Sequence, residues 1–208
     1  DTVGNESVSQ VWNFRLDTTP PQECFIYINQ NAKYTTSSPV TLSLTAKDTE
    51  SGVVKMCFRN DGKNWSGWQP FTTATTWSLD SPLTEGLHTV EAQFLNGVGL
   101  LSEPVFDNII FDGTAPINCS VLINGGWPTT YSPDVTLTLH AEDMVSNVTQ
   151  MKLWNDGETP PADWRSYTDA CSWRIRNVLG SRTVYAQFRN EAGLYSSSVA
   201  DSINYAAI

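Results

Sequence analysis

Aspartates that recur along the chain are the residues best suited to chemistry. Converging carboxylate oxygens are the ligands that Ca²⁺ prefers, and a positioned carboxylate can also act as a general acid or base. Asp61 is an example: it lies in FRNDGKNWSGW (58–68), and the same Asn-Asp-Gly returns in LWNDGETPPADW (153–164). The recurring pairs are Asp17 and Asp112, Asp48 and Asp143, Asp61 and Asp156, and Asp107 and Asp201.

Two interpretations of these aspartates are open. Asp48 and Asp143 follow a strand pattern and precede a Ser-Gly or Ser-Asn turn. There an Asp side chain accepts hydrogen bonds from backbone amides of its own turn. Asp107 and Asp201 share the parity of core residues in a last strand, which favours an edge or interdomain position. We expect turn capping, with structural calcium as the alternative at Asp48, Asp107, Asp112, Asp143 and Asp201.

The four cysteines lack the C-x-x-C spacing of zinc sites. Cys24 and Cys119 are equivalent and have inward parity, whereas Cys57 falls on the outer face of its strand and Cys171 aligns with Thr75. If disulfides form, the pairs 24–57 and 119–171 are favoured among the three connectivities. Buried free thiols are the equal alternative.

Tryptophans divide into those that recur and those that do not. Trp68 with Trp164, and Trp77 with Trp173, recur and are expected in the core. The others are Trp12, Trp65, Trp127 and Trp154. Exposed tryptophans can stack on sugars or anchor protein interfaces. We favour the alternative that these four cover junctions between domains.

Only two histidines, His88 and His140, are available as neutral-pH bases, and neither recurs. A Ser/His/Asp or Cys/His arrangement needs a base held beside a nucleophile, and the spacing indicates none. We expect both histidines at exposed strand positions. The sequence therefore predicts no enzyme and no catalytic residue.

A duplication supplies the elements that carry these residues. The run VTLSLTAKD (40–48) lies over VTLTLHAED (135–143), and VEAQFLNGVGL (90–100) lies over VYAQFRNEAGL (184–194). The predicted domains are residues 17–111 and 112–208, called here the first and second repeats. Residues 1–16 are interpreted as the last strand of a preceding repeat or an N-terminal extension, paired within the chain or with a neighbouring molecule.

Within each repeat the hydrophobic period is two. Val40, Leu42 and Leu44 alternate with threonine and serine, as a strand with one buried face requires. About seven short strands per repeat, and no helical periodicity, predict an all-β chain of two tandem antiparallel β-sandwiches. The junctions DTTPP (17–21) and DGTAP (112–116) are short and stiffened by proline, so we expect a semi-rigid rod.

Composition excludes several functions. Lysine and arginine total 12 against 22 acids, for a formal net charge of −10, and no basic stripe suits nucleic acid. The longest apolar runs are far shorter than a membrane helix needs. Abundant threonine and serine, few lysines and the acidic balance are typical of extracellular proteins.

The motif series resembles the tandem immunoglobulin-like (fibronectin type III-like) repeats of bacterial and archaeal cell-surface and secreted proteins. The motifs are Asp17–Pro21, Ile26–Asn29, Val40–Asp48, Ser51–Val53, Asn60–Gly62 with Trp65 and Trp68, Thr89–Phe94 and Gly99–Ser102. The second repeat departs at Asn147 and Thr114-Ala115, and the first at Leu100. The resemblance implies no catalytic residue.

Two functions follow from this resemblance. The first is a non-catalytic extracellular spacer, stalk, adhesive segment or filament building block, whose partners are neighbouring repeats or subunits of the same array. The alternative is a carbohydrate- or protein-binding accessory module attached to a secreted enzyme, with a cell-surface glycan or protein as partner. No cofactor is expected apart from the calcium alternative.

Overall fold

The computed structural model describes residues 16–208, which are almost entirely β-structure. The strand predicted within residues 1–16, and with it Trp12, lies outside the described residues. Among residues 16–208, no helix has the length and apolar character needed to cross a membrane.

The first repeat holds eight strands in two sheets. One sheet has the order β1-β3-β6 and the other the order β2-β8-β7-β4-β5. The strands are β1 (Gln22–Ile28), β2 (Tyr34–Thr35), β3 (Pro39–Lys47), β4 (Val53–Asn60), β5 (Gln69–Pro70), β6 (Ala74–Ser78), β7 (Gly86–Asn96) and β8 (Val105–Phe111). β1 pairs antiparallel with β3, and β4 pairs antiparallel with both β5 and β7, whereas β2 runs parallel to β8.

The second repeat has the same plan. Its sheets have the orders β14-β11-β9 and β10-β16-β15-β12-β13. The strands are β9 (Ile117–Ile123), β10 (Thr129–Thr130), β11 (Asp134–Glu142), β12 (Val148–Asn155), β13 (Arg165–Ser166), β14 (Ala170–Arg174), β15 (Gly180–Asn190) and β16 (Val199–Tyr205). A single 3₁₀ turn, Asn124–Gly126, joins β9 to β10.

Alternation along the long strands builds each core. In β3, Val40, Leu42 and Leu44 are at most 3% exposed, while the residues between them face outward. β7 and β15 contribute Phe94 and Phe188, both fully buried. Because successive side chains in a strand point to opposite faces, two such sheets enclose one apolar layer between them. The predicted all-β sandwich fold is confirmed for both repeats.

The sequence predicts seven strands in each repeat, and the additional strands that it does not predict are the two-residue strands β2 and β10. Proximity of Cα atoms also groups the described chain into two compact units. The principal segments are Thr41–Trp77 and Thr89–Asn108 in one unit and Ile109–Ile208 in the other. The predicted boundary between residues 111 and 112 stays a prediction.

Candidate functional site

Two of the predicted aspartates of the first repeat meet at an asparagine. Asn96 ends β7 with inward parity and is 1% exposed. Its Nδ2 donates to Asp17 Oδ2 at 3.0 Å, to Asp48 Oδ2 at 3.1 Å and to the Thr19 carbonyl at 3.1 Å. Ser51 Oγ also donates to Asp17 Oδ2. One amide thereby joins the entry segment to the turn after β3.

The second repeat reproduces this cluster around Asn190, which is 2% exposed. Its Nδ2 donates to Asp143 Oδ2 at 2.9 Å, and to Asp112 Oδ2 and the Thr114 carbonyl at 3.1 Å. Ser146 Oγ donates to Asp112 Oδ2 at 2.6 Å. Asp112 is completely buried, whereas Asp17 is half-buried. We call the two sets of residues the aspartate–asparagine clusters.

Turn capping is visible in the remaining bonds of these aspartates. Asp48 Oδ1 accepts the backbone N–H groups of Glu50, Ser51 and Gly52 at 2.8–3.1 Å. Hydrogen bonds from the Asn96 side chain, and then from the Ser51 backbone, hold the pKa of Asp48 below its usual 3.8. Bonds to the charged form of a carboxylate favour ionisation.

Calcium would have to compete with the amide for these oxygens. Nδ2 of Asn190 lies within hydrogen-bond distance of three oxygens, those of Asp112, Asp143 and the Thr114 carbonyl. It thereby occupies the position between these oxygens that a cation bound to all three would take. Within residues 16–208, no group of three or more His, Cys, Asp and Glu side chains is arranged to hold a metal. Calcium at Asp48, Asp112 and Asp143 stays an untested prediction.

Asp107 and Asp201 lie elsewhere, on the last strand of each repeat. Asp107 Oδ2 accepts the N–H of Ile28 on β1 at 2.7 Å, and Asp201 Oδ2 accepts the N–H of Ile123 on β9 at 2.7 Å. Each carboxylate satisfies a backbone donor of an edge strand in the opposite sheet. An unpaired edge donor is otherwise a template for strand addition.

Asp61 and Asp156 hold the turn that follows β4 or β12. Asp61 Oδ1 accepts the Thr89 N–H at 2.7 Å, and the Thr89 carbonyl accepts the Asp61 N–H. Asp61 and Gly62 have φ of 48° and 69°, as a tight turn between strands requires. Asp156 makes the same exchange with Thr183. These aspartates shape backbone and do not converge with the other carboxylates.

All four cysteines are free, so the proposed 24–57 and 119–171 disulfides are wrong. Cys57 lies opposite Gln93 on the outer face of its sheet, away from the core that Cys24 faces. Cys119 and Cys171 lie on β9 and β14 with β11 between them, so two strand spacings, roughly 9.5 Å, separate them. Cys57 is nevertheless only 2% exposed, and burial raises its pKa to about 11.

The non-recurring tryptophans have three different environments. Trp127 is 71% exposed beside the Asn124–Gly126 turn. Trp65 is half-buried beneath Arg59, whose Cζ is 4.5 Å from the ring centroid. Trp154 is only 8% exposed and stacks on Tyr185 at 5.4 Å, so its candidacy as an exposed ligand-binding residue is wrong.

The core placement of Trp68 and Trp164 is also wrong. Trp68 is 42% exposed and Trp164 is half-buried. The residue after Trp68 is Gln69, which pairs with the inward Met56, so Trp68 itself turns outward. Trp77 and Trp173 do pack against their cores, half-buried, and each indole N–H donates to a buried asparagine, Asn60 or Asn155.

The two histidines differ. His88 is 5% exposed, which makes the expectation of an exposed position wrong for it, while His140 is exposed and bonds Glu142 at 2.9 Å. His88 shares its parity with Val90 and Ala92, so it faces inward. Its Nε2 lies 2.8 Å from the Thr84 carbonyl.

Comparison with known proteins agrees with this architecture. Residues 21–92 match the family model described as bacterial Ig domain. The chain is similar to the fibronectin(III)-like modules of CbhA from Clostridium thermocellum, with 13% identity, TM-score 0.50, and coverage of 88% of this chain and 94% of that one. It is also similar to the FN1–FN3 domains of chicken CNTN1, with 10% identity, TM-score 0.48, and coverage of 89% and 65%.

No curated protein matches the chain. At 13% identity the likeness to the fibronectin(III)-like modules concerns the fold alone. Together with the sheets described above, the family match of residues 21–92 and the likeness to the CbhA modules confirm that the chain has an immunoglobulin-like, fibronectin type III-like fold.

Proposed function

We propose that this chain is a non-catalytic spacer segment of an extracellular or cell-surface protein. In this role its modules set a distance between other parts of an array, and its partners are neighbouring immunoglobulin-like repeats. Modules of this class are generally non-catalytic, and the recurring aspartates Asp48, Asp61 and Asp201 accept hydrogen bonds from backbone N–H groups.

The observation that carries this proposal is the pair of aspartate–asparagine clusters. Each fixes the residue at which the chain enters a module, Asp17 or Asp112, to the interior of that module. Asp112 also donates its backbone N–H to the Thr35 carbonyl at 2.9 Å. At the predicted boundary, Asp112 therefore bonds the first repeat through its backbone and the second repeat through its side chain. A spacer that keeps its length needs such short, hydrogen-bonded junctions, because free linker residues would let the ends fluctuate.

Small-angle X-ray scattering tests the proposal. We expect an elongated particle whose maximum dimension is unchanged by moderate salt. The matched variant inserts the four residues Gly-Ser-Gly-Ser after Gly113. This insertion should broaden the distribution of interatomic distances obtained from the scattering. A compact, near-spherical particle, or an insertion that changes nothing, would contradict the spacer role.

An accessory module attached to a secreted enzyme is the second candidate, and Trp127 favours it. This side chain is 71% exposed, and the first repeat has Ala32 in its place. A glycan array compares the natural chain with Trp127→Ala, with Trp65→Ala as the second variant. Binding that disappears with either substitution supports a carbohydrate-binding role. Absence of binding by the natural chain argues against that role.

A further inference from the structure

A set of four side chains covers part of the outer face of the five-stranded sheet in the second repeat. Lys152 lies on β12 and Arg189 on β15, Trp164 precedes β13, and Tyr195 forms an isolated bridge with Arg189. Lys152 Nζ is 4.6 Å and Arg189 Cζ 5.7 Å from the centroid of the Trp164 ring. The Tyr195 ring lies 6.1 Å from that of Trp164 and is 61% exposed. We call this set the cationic aromatic face.

The two cations of this face have no carboxylate partner among the described residues. Arg174, Arg176 and Arg182 of the same repeat each pair with an aspartate. Arg189 instead donates to the Gly193 carbonyl at 3.2 Å and to Gln150 Oε1 at 3.5 Å. No described carboxylate therefore neutralises either cation, although the net charge of the chain is −10. A cation–π contact compensates only part of that charge.

The first repeat provides an internal comparison. Trp68 occupies the position of Trp164, so the tryptophan belongs to the shared fold. The other three positions of the face hold Cys57, Leu95 and Leu101 in the first repeat, and Leu95 bridges Leu101 as Arg189 bridges Tyr195. The equivalent residues of the second repeat are Lys152, Arg189 and Tyr195. Apolar cover is sufficient for the fold at these positions, so the cations and the tyrosine require another explanation.

We propose that the cationic aromatic face binds an acidic sugar, a uronate residue of a polysaccharide. The exposed ring of Tyr195 offers a surface on which the C–H face of a pyranose can stack. The forked guanidinium of Arg189 matches a planar carboxylate, and Lys152 adds a second positive charge. A neutral sugar leaves the cations unused, and an acidic peptide leaves the ring unused. This site is separate from Trp127 and does not depend on the spacer role.

Isothermal titration calorimetry with hexagalacturonate tests the site, using all 208 residues of the chain. We expect saturable binding that weakens as salt is raised, because exposed charges are screened. Arg189→Leu and Tyr195→Leu introduce the residues of the first repeat, and each should lower the affinity about tenfold or more. The control Lys55→Ala removes one charge from the outer face of the first repeat and should leave the affinity within twofold. Unchanged thermal unfolding verifies that each variant folds.

Three results would overturn the proposal. The first is no binding of hexagalacturonate at millimolar concentration. The second is equal affinity for neutral maltohexaose or for a glutamate hexapeptide, which would show that carboxylate and ring are not read together. The third is an equal loss of affinity in Lys55→Ala and Arg189→Leu, which would show that binding depends on the net charge of the chain and not on this face.

Discussion

Replacing Asn190 by alanine should destabilise the second repeat by about 3 kcal/mol. The Asn190 side chain donates to two carboxylates and one carbonyl, and its Oδ1 accepts the Leu194 N–H at 2.8 Å. A hydrogen bond to a charged group contributes about 1.5–3 kcal/mol net, and the estimate takes the lower value for two of them. The substitution also leaves the fully buried Asp112 beside Asp143 with no donor between them.

The first repeat supplies the matched variant. Asn96→Ala removes equivalent bonds, but Asp17 is half-buried where Asp112 is fully buried. Water can replace the lost amide at a partly exposed carboxylate, so the first repeat should lose less stability than the second. Both variants lose the same kinds of hydrogen bond, so the difference between their losses of stability measures the effect of burial.

Hydrogen exchange followed by mass spectrometry measures each repeat separately in the intact chain. A loss of about 3 kcal/mol accelerates exchange through global unfolding roughly 100-fold. Peptides from β12 and β15 should show this acceleration in Asn190→Ala, while peptides from β4 and β7 should not. Acceleration below about fivefold, or an equal effect of Asn96→Ala in its own repeat, would refute the reasoning.

Three further predictions concern the thiols, acid stability and the edge strands. Burial raises the pKa of Cys57 to about 11, which leaves less thiolate at pH 8 than the ordinary pKa of 9.0 would, so Cys57 should react with iodoacetamide at least about tenfold more slowly in the native chain than in the unfolded chain. Peptide mass spectrometry measures this rate, and equal rates would contradict it. The pKa of Asp48 is lowered in the folded chain, so its stabilisation is present above 3.8 and is lost as pH falls through the lowered value. Urea midpoints from pH 5 to 2 should therefore decline less steeply in Asp48→Asn, and identical slopes would count against the cluster. Asp107→Ala should lower the free energy of unfolding by about 1–2 kcal/mol, because it leaves the Ile28 N–H unpaired. The freed edge donor should also increase aggregation, measured by light scattering. Asp107→Asn keeps an acceptor oxygen, so it should lose less stability in urea denaturation.

Much of the fold was predictable because burial on one face imposes a period of two. Leu42 and Leu44 lie where the alternation places them, and His88, which was expected to be exposed, is buried because it shares the parity of Val90 and Ala92. Trp68 was placed wrongly because recurrence between repeats shows that a position is constrained and does not show which face it occupies. Register against Met56 decides the face, and register between strands depends on pairing that one strand's sequence does not specify.

The sequence predicts only the aspartates of the aspartate–asparagine clusters. The aspartates were identified as turn caps, but Asn96 and Asn190 were missed as their common partner. A usable signal was present, since both asparagines recur with inward parity at the end of an alternating strand, where an apolar residue is expected. Convergence of Asp17 with Asp48 depends on segments far apart in sequence meeting at one end of the sandwich. Local patterns do not encode that meeting.

The short parallel pairing of β2 with β8 has a consequence for a module under tension. The backbone hydrogen bonds at this pairing include those from Ile110 N to the Lys33 carbonyl and from Asp112 N to the Thr35 carbonyl. In the second repeat, Asn204 N and Ala206 N bond the carbonyls of Pro128 and Thr130. β2 lies near the N-terminal end of the repeat and β8 at its C-terminal end. A force that pulls these two ends apart therefore slides the parallel strands past each other along their axes. The bonds of each pair are then loaded in shear, and we expect this short pairing to add mechanical resistance to that of the apolar core.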